Sequence, residues 1–289
     1  MLLLDKPSGL TSNAALQRAK HLYRAEKAGH TGTLDPLASG LLPLCFGEAT
    51  KFAQRLLDAP KGYVATIRFG ATTTTGDAEG ETVRTRPVAI DRAALDSALK
   101  CFVGPQTQVP PMHAALKFQG RAYYDYARKG EAIPRTARAI VVHAIELLEW
   151  GSPDAVVSIA CSKGTYVRVL AEDLGEALGC GAHLAALRRT ATGGFCIQDA
   201  VTLDGLEAMG DARRLASLLP TAALVADLPR IDLSEALCRR FRQGQALSAG
   251  GVCDGSFAVF AGAAFVGLAE VKEGVAHPRR LMSEHAAPA

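Results

Sequence analysis

Several stretches of this chain repeat apolar residues with period two and follow one another across short turns, not across helices. Tyr63, Ala65, Ile67 and Phe69 alternate with Val64, Thr66 and Arg68, the pattern of a half-buried strand. Val141–Trp150 and Ala155–Cys161 read as two neighbouring strands, and Leu41–Phe46 as a buried one. No regular alternation of strand and helix accompanies them. The expected class is therefore α/β (α+β), with a mixed, largely antiparallel sheet core and not a doubly wound parallel one.

The remaining elements are placed by their punctuation. A first strand, Leu2–Leu4, closes into the turn Asp5-Lys6-Pro7-Ser8-Gly9. Thr11 or Ser12 can cap a helix from Asn13 to Ala28, with Gly29 as its stop. Further helices are expected over Glu48–Asp58, Asp91–Phe102, Thr165–Leu178 and Leu203–Leu219, and a polar loop over Thr72–Glu81. A boundary near Ala226–Pro229 divides a domain of residues 1–226 from a small β-rich module of residues 229–285. That module holds an Arg-rich helix, Ser234–Arg242, and strands Val252–Phe260 and Ala264–Val271. Ser283–Ala289 reads as a frayed tail.

Composition narrows the function. At 289 residues the chain can bury one large core and a small one. Its net charge of +3 gives no overall basic field, so any polyanion site must be a local patch. The seven cysteines form no Cys-x-x-Cys pair, which argues against a disulfide framework and against structural zinc. Cys180-Gly-Ala-His183 has a ligand-like spacing but no second pair beside it. Met1–Leu4 is too short for a signal-peptide core, and no apolar run approaches the roughly 20 residues of a membrane span. A cytoplasmic protein is expected. Without a P-loop, a dinucleotide fingerprint or a metal cluster, neither cofactor nor metal is expected.

The chemistry concentrates in Gly29-His-Thr-Gly-Thr-Leu-Asp-Pro36. Pro36 biases Asp35 to an extended backbone, and Gly29 and Gly32 permit sharp turns. A carboxylate shown on such a loop, with His30 nearby, has the form of a nucleophile or general base. Both side chains could equally bond their own turn. Arg168, at the start of a helix, could hold such a carboxylate ionised, or it could pair with Glu172 four residues on. Tyr63 could stack on an extruded base or be core. The segment Lys117–Arg138 carries basic residues at 117, 121, 128, 129, 135 and 138 among Tyr123, Tyr124 and Tyr126, which suits phosphate contact and base stacking as well as a solvated face. Arg239-Arg-Phe-Arg242 is a second, weaker basic cluster.

Eight motifs in order over residues 1–205 resemble the bacterial tRNA pseudouridine-55 synthase family. They begin with Leu3-Leu-Asp-Lys-Pro-Ser-Gly9, Gly29-His-Thr-Gly-Thr-Leu-Asp-Pro-Leu-Ala38 and Gly47-Glu-Ala-Thr-Lys-Phe52. Ala115-Leu-Lys117 and Tyr124-Asp-Tyr-Ala-Arg128 come next. Cys161-Ser-Lys-Gly-Thr-Tyr-Val-Arg168, Gly179-Cys-Gly-Ala-His-Leu184 and Leu187-Arg-Arg189 complete the set. The resemblance implies a catalytic aspartate at Asp35, an active-site tyrosine at Tyr63 and a paired arginine at Arg168. It implies that His30 helps receive the flipped nucleotide, that Lys6 and Pro7 lie in a motif beside the pocket, and that Leu187 is an apolar wall. Asp77 and Tyr166 would lie near the bound uridine. Within the basic segment, Lys117, Lys129 and Arg135 are the residues expected on the RNA backbone.

The implied activity is isomerisation of uridine 55 in the T loop of tRNA by a cofactor-free enzyme that acts as a monomer with no protein partner. The C-terminal module would be PUA-like and touch tRNA. His113-Ala114 departs from the family's usual Tyr-Ser. A non-catalytic RNA-binding protein, a synthase acting on ribosomal RNA, and a small-molecule enzyme are the competing readings. The sequence leaves open whether Asp35 attacks C1′ of the ribose or C6 of the base, or deprotonates the ribose.

Overall fold

The computed structural model describes residues 1–283, so the expected tail lies outside them apart from Ser283. The strands are β1 (Leu2–Lys6), β2 (Ala28–His30), β3 (Ser39–Phe46), β4 (Lys61–Phe69), β5 (Ala71–Thr73), β6 (Thr82–Thr85), β7 (Gly104–Gln108), β8 (Lys117–Phe118), β9 (Arg121–Ala122), β10 (Arg138–Gly151), β11 (Asp154–Cys161), β12 (Ala182–Thr192), β13 (Phe195–Cys196) and β14 (Val201–Thr202). Strands β15 (Arg230–Asp232), β16 (Leu247–Ser248), β17 (Gly255–Ala261), β18 (Ala264–Lys272) and β19 (Val275–Leu281) follow. The helices are α1 (Ser12–Leu22), α2 (Gln54–Asp58), α3 (Arg92–Cys101), α4 (Tyr123–Ala127), α5 (Val167–Ala177), α6 (Leu203–Ala208), α7 (Asp211–Ala216) and α8 (Glu235–Arg242).

One large sheet runs β14-β1-β3-β12-β4-β11-β10-β7, with β2 on β3 and β13 on β12. Only β1–β14 and β3–β12 pair in parallel, so the sheet is mixed and largely antiparallel as the turns demanded. Leu2 and Leu4 of β1 pack with Leu16 and Ala19 of α1 and Leu206 of α6, while Met1 and Leu3 face Leu41, Phe52 and Ala258. That explains the unbroken apolar run: β1 is buried on both faces. On β4, Ala65, Ile67 and Phe69 join Leu170 and Leu174 of α5 and Leu95 and Leu99 of α3.

The C-terminal strands form their own sheet, β15-β17-β18-β19-β16. It docks through Phe265, whose ring lies 5.2 Å from that of Phe52. Behind that contact, the Lys51 ammonium donates to the Leu281 carbonyl at 3.2 Å.

Four expectations change. Helix α1 stops at Leu22, not Ala28, because Arg24 takes the left-handed conformation at φ +48°. Ala28–His30 instead pairs antiparallel with Phe46–Leu44, completing a ladder on β3. The Leu203–Leu219 helix breaks at Met209-Gly210 into α6 and α7. Glu48–Asp58 is a 3₁₀ turn, Gly47–Phe52, followed by the short α2. The Thr72–Glu81 loop begins in strand, with Ala71–Thr73 pairing to Thr82–Thr85.

The central strand β12 had no period-two signal, and the reason is geometric. Register shifts at Leu184/Ala186 and Arg189/Ala191 twice flip which residues face the core. Its contact with β3 is close. Gly40 sits at φ +103°, and a Cβ there would fall 2.3 Å from the Arg189 carbonyl oxygen.

Candidate active site

The connection from β2 to β3 is fixed from outside. The Ser12 hydroxyl, on the first residue of α1, donates to the Leu34 carbonyl and accepts from the Leu34 amide, both at 2.8 Å. Gly9 of the first turn donates its amide to the Pro36 carbonyl at 2.7 Å. Thr31 donates its amide to Pro43 at 3.1 Å. Two motifs distant in sequence thus hold the loop that presents Asp35.

Asp35, Tyr63, Tyr166, Arg168, Leu187 and Arg189 line one cavity of about 360 Å³. A larger one, about 670 Å³ beside Arg55 and Asp227, is lined by none of these groups. The Arg168 guanidinium is 5% exposed and lies 3.1 Å from the Asp35 carboxylate and 3.4 Å from that of Asp77. It also donates to the carbonyls of His113 at 2.9 Å and Thr75 at 3.2 Å. Glu172 is not its partner: that carboxylate abuts Gly76.

Burial pushes the Asp35 carboxyl above its usual range; Arg168 pulls it down, and Asp77 adds to the rise. The side chain remains 39% exposed, through the cavity mouth. Asp77 itself is almost wholly buried. Its carboxylate accepts from the Thr75 hydroxyl at 2.5 Å and the Glu79 amide at 3.1 Å. Burial likewise raises the Tyr63 hydroxyl, with Arg189 opposing, and raises that of Tyr166. Tyr166 caps α5, and the Gln108 side chain accepts from its amide at 3.0 Å.

The other expected residues divide. His30 sits half-buried on β2; its Nδ1 is buried without a hydrogen-bond partner, and burial lowers its pKa. Lys6 is fully buried, and its ammonium donates to the carbonyls of its own turn, Pro7 at 2.8 Å and Leu10 at 2.6 Å. Burial lowers its pKa to about 8, with Asp35 pulling upward. Pro7 is exposed at the turn. Lys117, Lys129 and Arg135 are exposed and do not line the cavity; Arg135 donates to the Pro110 carbonyl at 3.0 Å. At the departure from the family pattern, Ala114 lines the cavity while His113 meets Arg168 through its backbone, a contact any residue could make.

Sequence reasoning gave Arg189 no role beyond its place in the Leu187-Arg-Arg189 motif; it is 1% exposed and stands opposite Tyr63 in the β4–β12 ladder. A buried guanidinium in a strand with irregular alternation leaves no periodic signal. Among the described residues no cluster of His, Cys, Asp and Glu has the form of a metal site, and no helix is long and apolar enough to cross a membrane.

Solved structures share this architecture. The chain aligns with a protein in the crystal structure of a Cbf5-Nop10-Gar1 complex at TM-score 0.74 and 26% identity, covering 97% of this chain and 84% of that one. It aligns similarly with a chain of an H/ACA RNP bound to a substrate RNA containing 2′-deoxyuridine, at TM-score 0.73 and 25% identity, covering 99% and 85%. The family model described as the TruB family pseudouridylate synthase N-terminal domain matches residues 20–167. The tRNA pseudouridylate synthase B C-terminal domain matches 168–226, and the C-terminal domain of pseudouridine synthase II TruB matches 229–282. The chain is 53% identical to the tRNA pseudouridine synthase B of Cupriavidus pinatubonensis, over 98% of this chain and 93% of that protein. It is 55% identical to that of Thiobacillus denitrificans, over 98% and 95%. The chain belongs to the TruB family of pseudouridylate synthases. It is an RNA-binding isomerase that forms pseudouridine in tRNA.

Proposed function

We propose that the chain isomerises uridine 55 in the T loop of tRNA, with the base flipped into the Asp35 cavity and Asp35 as nucleophile. The observation that carries this reading is the Asp35 carboxylate held 3.1 Å from a buried arginine beneath a cavity walled by Tyr63 and Leu187. The reaction breaks the bond from C1′ to N1, turns the freed base, joins C1′ to C5 and releases the C5 proton. Atoms and electrons balance without redox change, water or an outside group, so the chemistry asks for no cofactor.

Asp35 would attack either C1′ or C6, and Arg168 supports its ionised form against the pull of burial. Tyr63 stacks on the ring, Tyr166 closes the polar side and Leu187 the apolar one, while Asp77 acts from behind through its ion pair with Arg168. His30 fills the space the base leaves. Extruding the base costs a few kcal/mol. Exposed Lys117, Lys129 and Arg135 offset that cost on the RNA backbone, and Lys6 and Pro7 act through the turn that braces the loop. Residues 1–226 form the catalytic part and 229–285 a PUA-like RNA-binding module. On this reading the enzyme works as a cytoplasmic monomer on free tRNA.

The test is incubation with an unmodified tRNA transcript, followed by chemical mapping of pseudouridine. One new pseudouridine at position 55, absent with Asp35→Asn while tRNA binding persists, is the expected result. An active Asp35→Asn protein would remove the nucleophile assignment. Tight binding with no modification by the unaltered protein would favour an RNA-binding role instead.

A further inference from the structure

Cys180-Gly-Ala-His183, ligand-like in its spacing, turns its two polar side chains to different places. Cys180 packs in the core with Leu170 and Leu174 of α5. His183 lies on β12 between Ala182 and Leu184, which face that same core, so its ring stands on the opposite face of the sheet. It is 7% exposed there, and its Nδ1 lies 2.9 Å from the Ala71 carbonyl of β5. A carbonyl only accepts, so Nδ1 carries the hydrogen and donates. A buried imidazole costs more to desolvate than an apolar side chain of similar volume, and the bond to Ala71 is what it holds.

Ala71 opens a segment that runs to Asp77. The Gly70 amide donates to the Gly181 carbonyl at 2.9 Å, the Leu184 amide to Gly76 at 3.0 Å, and the Ala78 amide to Leu184 at 2.9 Å. Those three bonds use main-chain groups alone; the bond to Ala71 needs the His183 ring. Within the segment the Thr73 hydroxyl donates to the Asp77 carbonyl at 2.7 Å. The segment is thereby laid along the start of β12, and it carries half of the partners of Arg168. Nη1 of Arg168 faces the Thr75 carbonyl at 3.2 Å and the Asp77 carboxylate at 3.4 Å. Nη2 faces the His113 carbonyl at 2.9 Å and the Asp35 carboxylate at 3.1 Å. A guanidinium is planar and rigid, so fixing one terminal nitrogen sets where the other points. We propose that His183 is a positioning residue: by holding Ala71 it keeps Thr75 and Asp77 on Nη1 of Arg168, and so aims Nη2 at Asp35. This rests on the reading of Asp35 and Arg168 proposed above.

The experiment uses the full chain with unmodified tRNA transcript. It measures single-turnover rate and tRNA Kd for His183→Asn, His183→Gln and His183→Phe, alone and combined with Asp77→Asn. An asparagine amide places an N–H near the position of Nδ1, whereas a glutamine amide places its own near that of Nε2. Turnover should fall about tenfold in His183→Gln and about 30-fold in His183→Phe, with Kd within about twofold of the parent, because orientation and not binding is lost. His183→Asn should stay within about threefold of the parental rate. In the Asp77→Asn background, His183→Phe should cost less than about threefold, since the two act as one unit. Hydrogen exchange at the Ala78 and Leu184 amides should quicken in His183→Phe and not in His183→Asn.

A parental rate in His183→Phe would overturn the proposal. Faster exchange with no loss of turnover would do the same, because it marks a bond that serves stability alone. Asparagine failing as badly as glutamine would overturn the donor role. Should His183→Phe not fold, the contrast of asparagine with glutamine carries the test. The underlying reading fails separately, through an Asp35→Asn protein that keeps its turnover; the exchange rates, read without RNA, would still show whether His183 holds the segment.

Discussion

The loop that presents Asp35 and the basic segment between β7 and β10 both contribute to the cavity wall, through Gly32–Asp35 and Ala114–Leu116, yet they are built on opposite plans. The first is short and tied down from outside: Ser12, Gly9 and Arg189 reach it from α1, the first turn and β12. The second is longer and tied mostly to itself. Tyr123 donates its amide to Leu116, the Tyr126 hydroxyl donates to Phe118, and Arg121 pairs with Glu131 while lying 3.9 Å over the Tyr126 ring. Its firmest attachment to the core is the His113 carbonyl taken by Arg168. Groups that make and break bonds need their geometry prepaid, whereas groups that grip a backbone of variable shape need only charge and reach.

Substitutions on the two sides should therefore fail in different ways. The largest effect is expected for Arg168→Lys, which keeps a charge but loses the fork that spans Asp35 and Asp77. Turnover should fall about 100-fold or more. Burial already holds the Asp35 carboxyl above the usual carboxylate range, and the proposed mechanism requires its ionised form; the acid limb of the pH–rate profile should move further upward. An unmoved limb would detach Arg168 from Asp35's charge.

Next comes Ser12→Ala, which leaves the buried amide and carbonyl of Leu34 without their partner. Stability should drop by about 1–3 kcal/mol in urea unfolding. The single-turnover rate should drop about tenfold with tRNA Kd unchanged. A change in Kd alone would blur the contrast between the two loops.

Neutralising Lys129 and Arg135 together should do the reverse, raising Kd several-fold and leaving the bound rate alone. The slope of log K against log salt should shrink by about 1 to 2, one unit or slightly less per phosphate contact. An identical slope in the double variant would take this segment off the RNA.

The smallest effect concerns Lys6, whose folded pKa of about 8 lies below its ordinary 10.5. Between those values the unfolded chain binds more protons than the folded one, so this lysine makes stability rise with pH across that window. Comparing unfolding of the parent and Lys6→Met at pH 7.5 and 9.5 should show the parent gaining on the variant at the higher pH. Parallel behaviour would mean the ammonium is not strained by burial.

The parts legible in the sequence were those whose signal is local. The alternation at Tyr63–Phe69 announced β4, and Asp91 announced α3, whose first turn it caps at 2.8 Å. Asp35 stood out because glycine and proline bracket it. What was hidden depended on contacts made across the sheet. Arg168 had a plausible partner four residues away, and only the fold turns it from Glu172 toward Asp35 and Asp77. Strand β12 was hidden by its own bulges, and Arg189 with it. Lys6, expected in a motif beside the pocket, spends its donors on the carbonyls of its own turn, a contact no spacing announces.

The tight crossing at Gly40 bears on heredity more than on chemistry. With Arg189's backbone filling the place of any side chain there, even alanine would have to pry β12 from β3, and β12 carries the Leu187 and Arg189 walls of the cavity. A random-mutagenesis screen for dead enzyme should therefore return this position alongside Asp35, although it offers no functional group. Descendants of this gene can drift at exposed lysines, but at residue 40 lineage and architecture are bound to the same smallest residue.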